Sequence, residues 1–212
     1  LSNLTYLDLT NNSVSDLTAI TALTGLTDLY LTNNPVKSIT YLNSLLALER
    51  LHIENCGVSR LTSIAGNTSI QELYASNNEI SDISVLSDCV SLSILDISNN
   101  QVKDVSVIAQ LPALTYFLAS HNQIEALPAF DTETNKLVRI DVSNNQIKDL
   151  SPLKGLPNLN YIFADLSGLE DCPLLTQLNV FDNPVNEEQV KHLQEIGRIV
   201  NYTPQYAAQS AS

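Results

Sequence analysis

One pattern of apolar residues and an asparagine returns about every 22 residues, and it limits what this chain can fold into more than any other feature. It is clearest from Leu92 to Leu111, where Leu92, Leu95 and Ile97 lead to Asn100, and Val102, Val105, Ile108 and Leu111 follow at spacings of two or three residues. The first apolar residue of each unit falls at Leu4, Leu26, Leu48, Ile70, Leu92 and Leu114 in steps of 22, then at Leu137, Leu159 and Leu175 in steps of 23, 22 and 16. The asparagine position reads Asn12, Asn34, Cys56, Asn78, Asn100, Asn122, Asn145, Ser167 and Asn183, seven of the nine being Asn. A fixed period of this length marks units that bury their apolar faces only by stacking on their neighbours. The 212 residues therefore form one elongated domain of nine units, the eighth shortened, rather than a globule around a single core.

Within a unit, triplets such as Leu7-Asp8-Leu9, Leu29-Tyr30-Leu31 and Ile140-Asp141-Val142 alternate apolar and polar residues. A period of two puts the apolar members on one face of a short strand. Units running in one direction must pair these strands in parallel, and nine at about 4.8 Å make a sheet on the order of 40 Å long. The buried face is covered by the second half of each unit, as in Val14, Leu17, Ile20 and Leu23, or Ile80, Ile83, Leu86 and Cys89. About a dozen residues are too few for a long helix and two turns, so short helical turns or extended segments are expected there. Strands spaced more widely than their backs bend the stack and line its concave side. The asparagine amide, both donor and acceptor, is suited to satisfying backbone groups in the turn after each strand. Aspartates such as Asp82, Asp104 and Asp149 precede the convex turns, where a carboxylate accepts from free N–H groups. Residues 125–136, with Pro128, form an enlarged convex loop and the expected mobile point of the array.

The chain ends differently. Val190, Leu193 and Ile196 share one helical face, with Asn186 as N-cap and Gly197 as stop, and residues 198–202 read as a last strand. The expected division is a repeat array over 1–183, a cap of helix plus strand over 184–203, and a linker-like tail over 204–212. Leu1 stands three residues before Leu4, as Leu111 does before Leu114, so the sequence is expected to open at the end of a preceding unit.

Ten basic and 23 acidic residues give a net charge of -13, which argues against nucleic acid and anionic membrane surfaces as partners. No run approaches the roughly 18 apolar residues of a membrane span. The three cysteines read as small buried groups: Cys56 fills the asparagine slot, and Cys89 and Cys172 stand where other units carry leucine. His52, His121 and His192 are scattered, and no metal, nucleotide or nucleophile motif appears, so neither enzymatic activity nor a cofactor is expected.

The units IQELYASNNEISDISVL and LVRIDVSNNQIKDLSPL resemble internalin-type leucine-rich repeats of Gram-positive bacterial surface proteins, over residues 1 to about 202. The resemblance implies an α/β fold, a right-handed leucine-rich repeat solenoid with a parallel concave sheet and a C-terminal helical cap. It also implies a non-enzymatic module whose concave face grips a protein, often a host receptor, at the cell surface or after secretion. Cytosolic phosphatase-regulatory repeat proteins share the repeat and give the cytoplasmic alternative.

The strand positions facing away from the core fall in two columns. One runs Tyr6, Asp28, Arg50, Glu72, Ile94, Tyr116, Arg139, Tyr161, Gln177, and the next Asp8, Tyr30, His52, Tyr74, Asp96, Leu118, Asp141, Phe163, Asn179. Five of the eight tyrosines lie here. Exposed aromatics anchor interfaces at little entropic cost. The candidate contact residues are Tyr6, Tyr30, Arg50, His52, Glu72, Tyr74, Asp96, Tyr116, Leu118, Arg139, Asp141, Tyr161 and Phe163. A protein partner on a monomeric array is the primary reading. A glycan stacked on the aromatics, or a spacer with no ligand, are the alternatives.

Overall fold

The computed structural model describes residues 3–147, 149–164, 177–180, 191, 194–195 and 199–202. Ten strands lie in one sheet in chain order among them: β1 (Tyr6–Asp8), β2 (Asp28–Tyr30), β3 (Arg50–His52), β4 (Glu72–Tyr74), β5 (Ile94–Asp96), β6 (Tyr116–Leu118), β7 (Arg139–Asp141), β8 (Tyr161–Phe163), β9 (Gln177–Val180) and β10 (Ile199–Tyr202). Every adjacent pair is parallel. The 22-residue metre sets the register, since Tyr6 pairs with Asp28, Asp28 with Arg50, and Arg50 with Glu72. The irregular steps preserve it: Tyr116 pairs with Arg139 and Tyr161 with Gln177, so the extra and missing residues are taken up between strands.

The central residue of each triplet points into the core. Leu29, Leu51, Leu73, Leu95, Phe117, Ile140 and Ile162 are all fully buried. Opposite them, short 3-10 turns at Thr18–Ala22, Thr40–Ser44, Thr62–Ile64, Ser84–Asp88, Ser106–Gln110 and Ser151–Leu153 bury Ile20, Leu42, Ile64, Leu86, Ile108 and Leu153. Aspartates start four of these turns, those at Thr18, Ser84, Ser106 and Ser151. The carboxylates of Asp16, Asp82, Asp104 and Asp149 accept from the N–H groups of Thr18, Ser84, Ser106 and Ser151 at 2.7–2.8 Å. The described stretch between β6 and β7 contains no 3-10 turn; Asp131 accepts instead from the Glu133 N–H at 2.9 Å and the Thr134 hydroxyl at 2.8 Å.

The asparagines form a ladder interrupted at Cys56. The Asn100 amide donates to the carbonyls of Ile97 at 2.9 Å and Ala75 at 3.0 Å, while its oxygen accepts from the Ile80 N–H at 2.9 Å. Asn78 and Asn122 do the same one unit on either side, with Val58 and Val102 as the donors to their oxygens. Each inner carbonyl therefore receives two side chains: Ala75 from Asn78 and Asn100, Ile97 from Asn100 and Asn122. Cys56 breaks the pattern. Its thiol reaches the Leu31 carbonyl at 3.2 Å, and the Val36 N–H turns back to the Asn34 carbonyl at 2.8 Å, next to Lys37 at φ +58°.

Among the described residues, the one before each ladder position adopts a left-handed backbone. Asn11, Asn33, Asn55, Asn77, Asn99 and Asn144 have φ between 53° and 59°, as does His121. Asparagine tolerates this region better than most side chains, which is why the doublet Asn-Asn recurs. On the surface these side chains bond to one another, Asn55 to Asn33 at 2.8 Å and Asn33 to Asn11 at 2.7 Å.

Cys56 and Cys89 are free and buried, in keeping with small core groups. Burial pushes the Cys89 thiol up to about 11. Cys172, Ser167, Asn183, His192 and Lys148 lie outside the described residues, as does most of the expected capping helix, of which Lys191, Gln194 and Glu195 are described as helical and exposed. The strand expected over 198–202 is present as β10, paired with β9.

Candidate functional site

The ladder register carries both outward columns onto one face of the sheet. Tyr30, His52 and Tyr74 occupy adjacent strands at the same position. Their rings stack: His52 lies 4.4 Å from Tyr30 at an interplanar angle of 19° and 4.3 Å from Tyr74 at 16°. Tyr6, from the neighbouring column, leans on the far side of Tyr30 at 5.2 Å and 42°. Four consecutive repeats thus contribute one aromatic row, 53% of Tyr6 being exposed at its end.

A hydrogen bond anchors the middle of this row. Nδ1 of His52 lies 3.1 Å from the Glu54 carboxylate, which also accepts from the Thr32 hydroxyl at 2.6 Å. Burial resists ionisation of Glu54, yet the hydrogen bonds from His52 and Thr32 prevail and hold its carboxyl below the ordinary value. Glu54 sits just beyond the two columns and is not among the residues picked out from the sequence. The signal was there, since a lone carboxylate two residues after a histidine on one strand faces the same way.

Two charged residues differ from expectation. Asp28, grouped with the exposed face in the sequence, is only 7% exposed, because it forms an ion pair with Arg50 and accepts from the Thr27 hydroxyl at 2.6 Å. Burial alone would raise its pKa; the Arg50 and Thr27 hydrogen bonds and the Arg50 charge lower it overall. Arg50 therefore pairs with the strand before it, and its charge is largely satisfied within the protein. Glu72, on the strand after it, has no ion pair among the described residues.

A second aromatic group lies farther along. Tyr116 and Tyr161 are 39% and 42% exposed and flank Arg139 in the first column. The Arg139 guanidinium carbon stands 4.9 Å from the centroid of Phe163, and its Nε is buried without a hydrogen-bond partner. Leu118 and Asp141 adjoin it on β6 and β7, with Asp141 accepting from the Ser143 N–H at 3.1 Å and hydroxyl at 2.7 Å. Asp96 is held likewise by the Ser98 N–H at 2.9 Å. All the sequence-selected residues share the face; the aromatic row and the Arg139 group are separate clusters along it.

Comparison with protein families matches Leucine Rich repeats (2 copies) over residues 2–44, 68–110 and 90–132. The chain belongs to the leucine-rich repeat family. Comparison with curated protein sequences finds no match. Among solved structures, the repeat array is similar to internalin C2 of Listeria monocytogenes, at 28% identity and a TM-score of 0.61, over 95% of this chain and 72% of that one. It is similar to internalin F of the same organism at 23% identity and a TM-score of 0.57, over 96% and 76%. A leucine-rich repeat protein of Leptospira interrogans superposes at a TM-score of 0.78 with 19% identity, over 93% of this chain and 60% of that one. The repeats are of the internalin type that their 22-residue motif resembles, and the short 3-10 turns and parallel sheet are those of a leucine-rich repeat solenoid. Among the described residues, no helix is long and apolar enough to cross a membrane.

Proposed function

We propose that this repeat array is a non-enzymatic recognition module that grips a protein partner across its concave sheet, at a bacterial surface or in secreted form. The observation that carries this reading is the row Tyr6, Tyr30, His52, Tyr74 with exposed Tyr116 and Tyr161 on the same face. Rings already stacked lose little freedom when a partner arrives, and their edges and hydroxyls remain available to it. The glycan alternative has less support, because a sugar needs open ring faces and the stack covers both faces of Tyr30 and His52. The spacer alternative leaves the exposed aromatics without a role.

The test is capture of partners by the wild-type chain and by a Tyr30→Ala, His52→Ala, Tyr74→Ala variant, with melting curves for both. Loss of a specific protein partner with the melt preserved supports concave recognition. Retention of that partner by the variant would place binding elsewhere. A glycan-array signal without a protein partner would favour the sugar reading.

A further inference from the structure

The aromatic row stops abruptly at β5. The register places Asp96 beside Tyr74, and Leu118 beside Asp96. One face of the Tyr74 ring is covered by His52 at 4.3 Å; the other looks toward the much shorter aspartate. With strands about 4.8 Å apart, Tyr74 and Leu118 stand about 10 Å from one another across Asp96. That leaves a notch roughly one side chain wide, with an aromatic wall, an aliphatic wall and a carboxylate floor. Ile94 and Glu72 occupy the adjacent column on β5 and β4.

The electrostatics of the notch are one-sided. Asp96 accepts from the Ser98 N–H through one oxygen, and its other oxygen has no protein donor among the described residues. The Tyr74 phenol is raised in pKa first by burial, then by the charge of Glu72 and a hydrogen bond with it, and by Asp96 and Glu54. By contrast, Tyr30 feels Arg50 beside its carboxylates. Arg50 stands beside Glu72 in the register and offsets part of its charge, whereas Asp96 has only Tyr74 and Leu118 beside it in its column; a carboxylate next to an open tyrosine face attracts a cation twice over, through its charge and through the ring quadrupole. The chain's net charge of -13 adds long-range steering in the same direction.

We propose that the notch between Tyr74 and Leu118 seats a cationic side chain, a lysine or arginine projecting from the partner protein, with its charge on Asp96 and Glu72. The proposal rests on the reading of the concave face as a protein-binding surface and names the chemistry of the residue it takes. The aliphatic stem lies against Leu118 and Ile94 while the charged head meets the carboxylates, the division that long basic side chains adopt at interfaces.

The probe is Nα-acetyl-lysine methylamide, titrated into the isotopically labelled full chain and followed through backbone amide shifts, with the norleucine analogue as uncharged control. Saturable shifts centred on Tyr74, Asp96 and Leu118 are expected. They should weaken about tenfold or more in Asp96→Asn, which keeps an acceptor for Ser98, and recover in part in Asp96→Glu. Tyr74→Leu serves as a second variant, removing the ring while keeping an apolar wall. Equal shifts from norleucine, or lysine shifts spread over the acidic surface and unchanged by Asp96→Asn, would overturn the notch. The triple alanine capture experiment reads separately: if it removes the partner while the lysine titration fails, concave recognition stands and the cation seat does not.

Discussion

Replacing Asn100 with leucine isolates the contribution of the buried ladder. The Asn100 amide makes two good donor contacts, to Ile97 and Ala75, a longer one to Ser98 at 3.3 Å, and its oxygen accepts from Ile80. The losses are unequal. The Ala75 carbonyl keeps Asn78 as donor and the Ile97 carbonyl keeps Asn122, so neither is abandoned. The Ile80 N–H, in a fully buried residue, loses its acceptor outright. A stranded buried donor costs about 1–3 kcal/mol, and each weakened carbonyl adds about 0.5 kcal/mol. Leucine brings apolar surface but no room for its branch among backbone groups, so gain and overpacking roughly cancel. The expected loss is about 2–4 kcal/mol, which at about 2–4 °C per kcal/mol lowers Tm by roughly 4–16 °C. The assay is a thermal melt paired with hydrogen exchange at the Ile80 amide, which should lose its protection. Asn12→Leu is the control, because Asn12 is exposed and the Leu9 carbonyl it serves also receives Asn34. An unchanged melt with the Ile80 amide still protected, or equal losses in the two variants, would refute the argument.

Phe117 is the largest fully buried side chain among the described residues, and Phe117→Ala should cost about 3–5 kcal/mol in denaturant unfolding. On the acid side, Asp16, Asp28, Glu54, Asp82, Asp104 and Asp149 all have lowered pKa values. Groups depressed in the fold stabilise it above their unfolded values and lose that contribution as pH falls through the folded ones, so melts should drop steadily below about pH 4. On the alkaline side the sign reverses, since Tyr30, Tyr74 and Cys89 are raised and stability present below their unfolded values should fall as pH rises through the folded ones; a flat melting profile from neutral pH to pH 11 would contradict this. With Cys172 changed to Ser, iodoacetamide at pH 8 should leave Cys89 unmodified in the native chain and label it only on unfolding, because the buried thiol is pushed up to about 11.

The backbone plan was legible because each of its parts repeats. Alternation around Leu29, Leu51 and Leu73 fixed the inward face, and the constant step fixed which residues stand side by side, so the two outward columns could be read before any coordinates. The ladder amides and the turn aspartates were legible for the same reason: one backbone geometry, met again in every unit, requires one side-chain chemistry. What escaped depends on a single unit. The burial of Asp28 follows from a guanidinium that only the next repeat supplies, and the role of Glu54 from a histidine that no other unit carries at that strand position. The surface row of left-handed asparagines escaped differently: the ladder amide accounts for the second Asn of each pair, and spacing alone does not distinguish the first from an ordinary polar turn residue.

Curvature joins the two levels. Neighbouring strands stand about 4.7–4.9 Å apart, yet the stacked rings of Tyr30, His52 and Tyr74 are 4.4 and 4.3 Å apart. Side chains rising from a concave wall converge, so bulky residues in one column are pressed together as they leave the sheet. Flat rings accommodate that compression by stacking face to face, which restricts their rotation and leaves only edges to solvent, except at Tyr74, whose far face is uncovered. A short residue in the same column does the reverse, because the convergence of its neighbours walls in the space above it. In their column Asp8 and Asp96 stand on either side of Tyr30, His52 and Tyr74, but of the two only Asp96 has bulky residues of that column, Tyr74 and Leu118, on both sides. The bend that compresses the row therefore also closes the notch, and the rigidity of the first sets the width of the second.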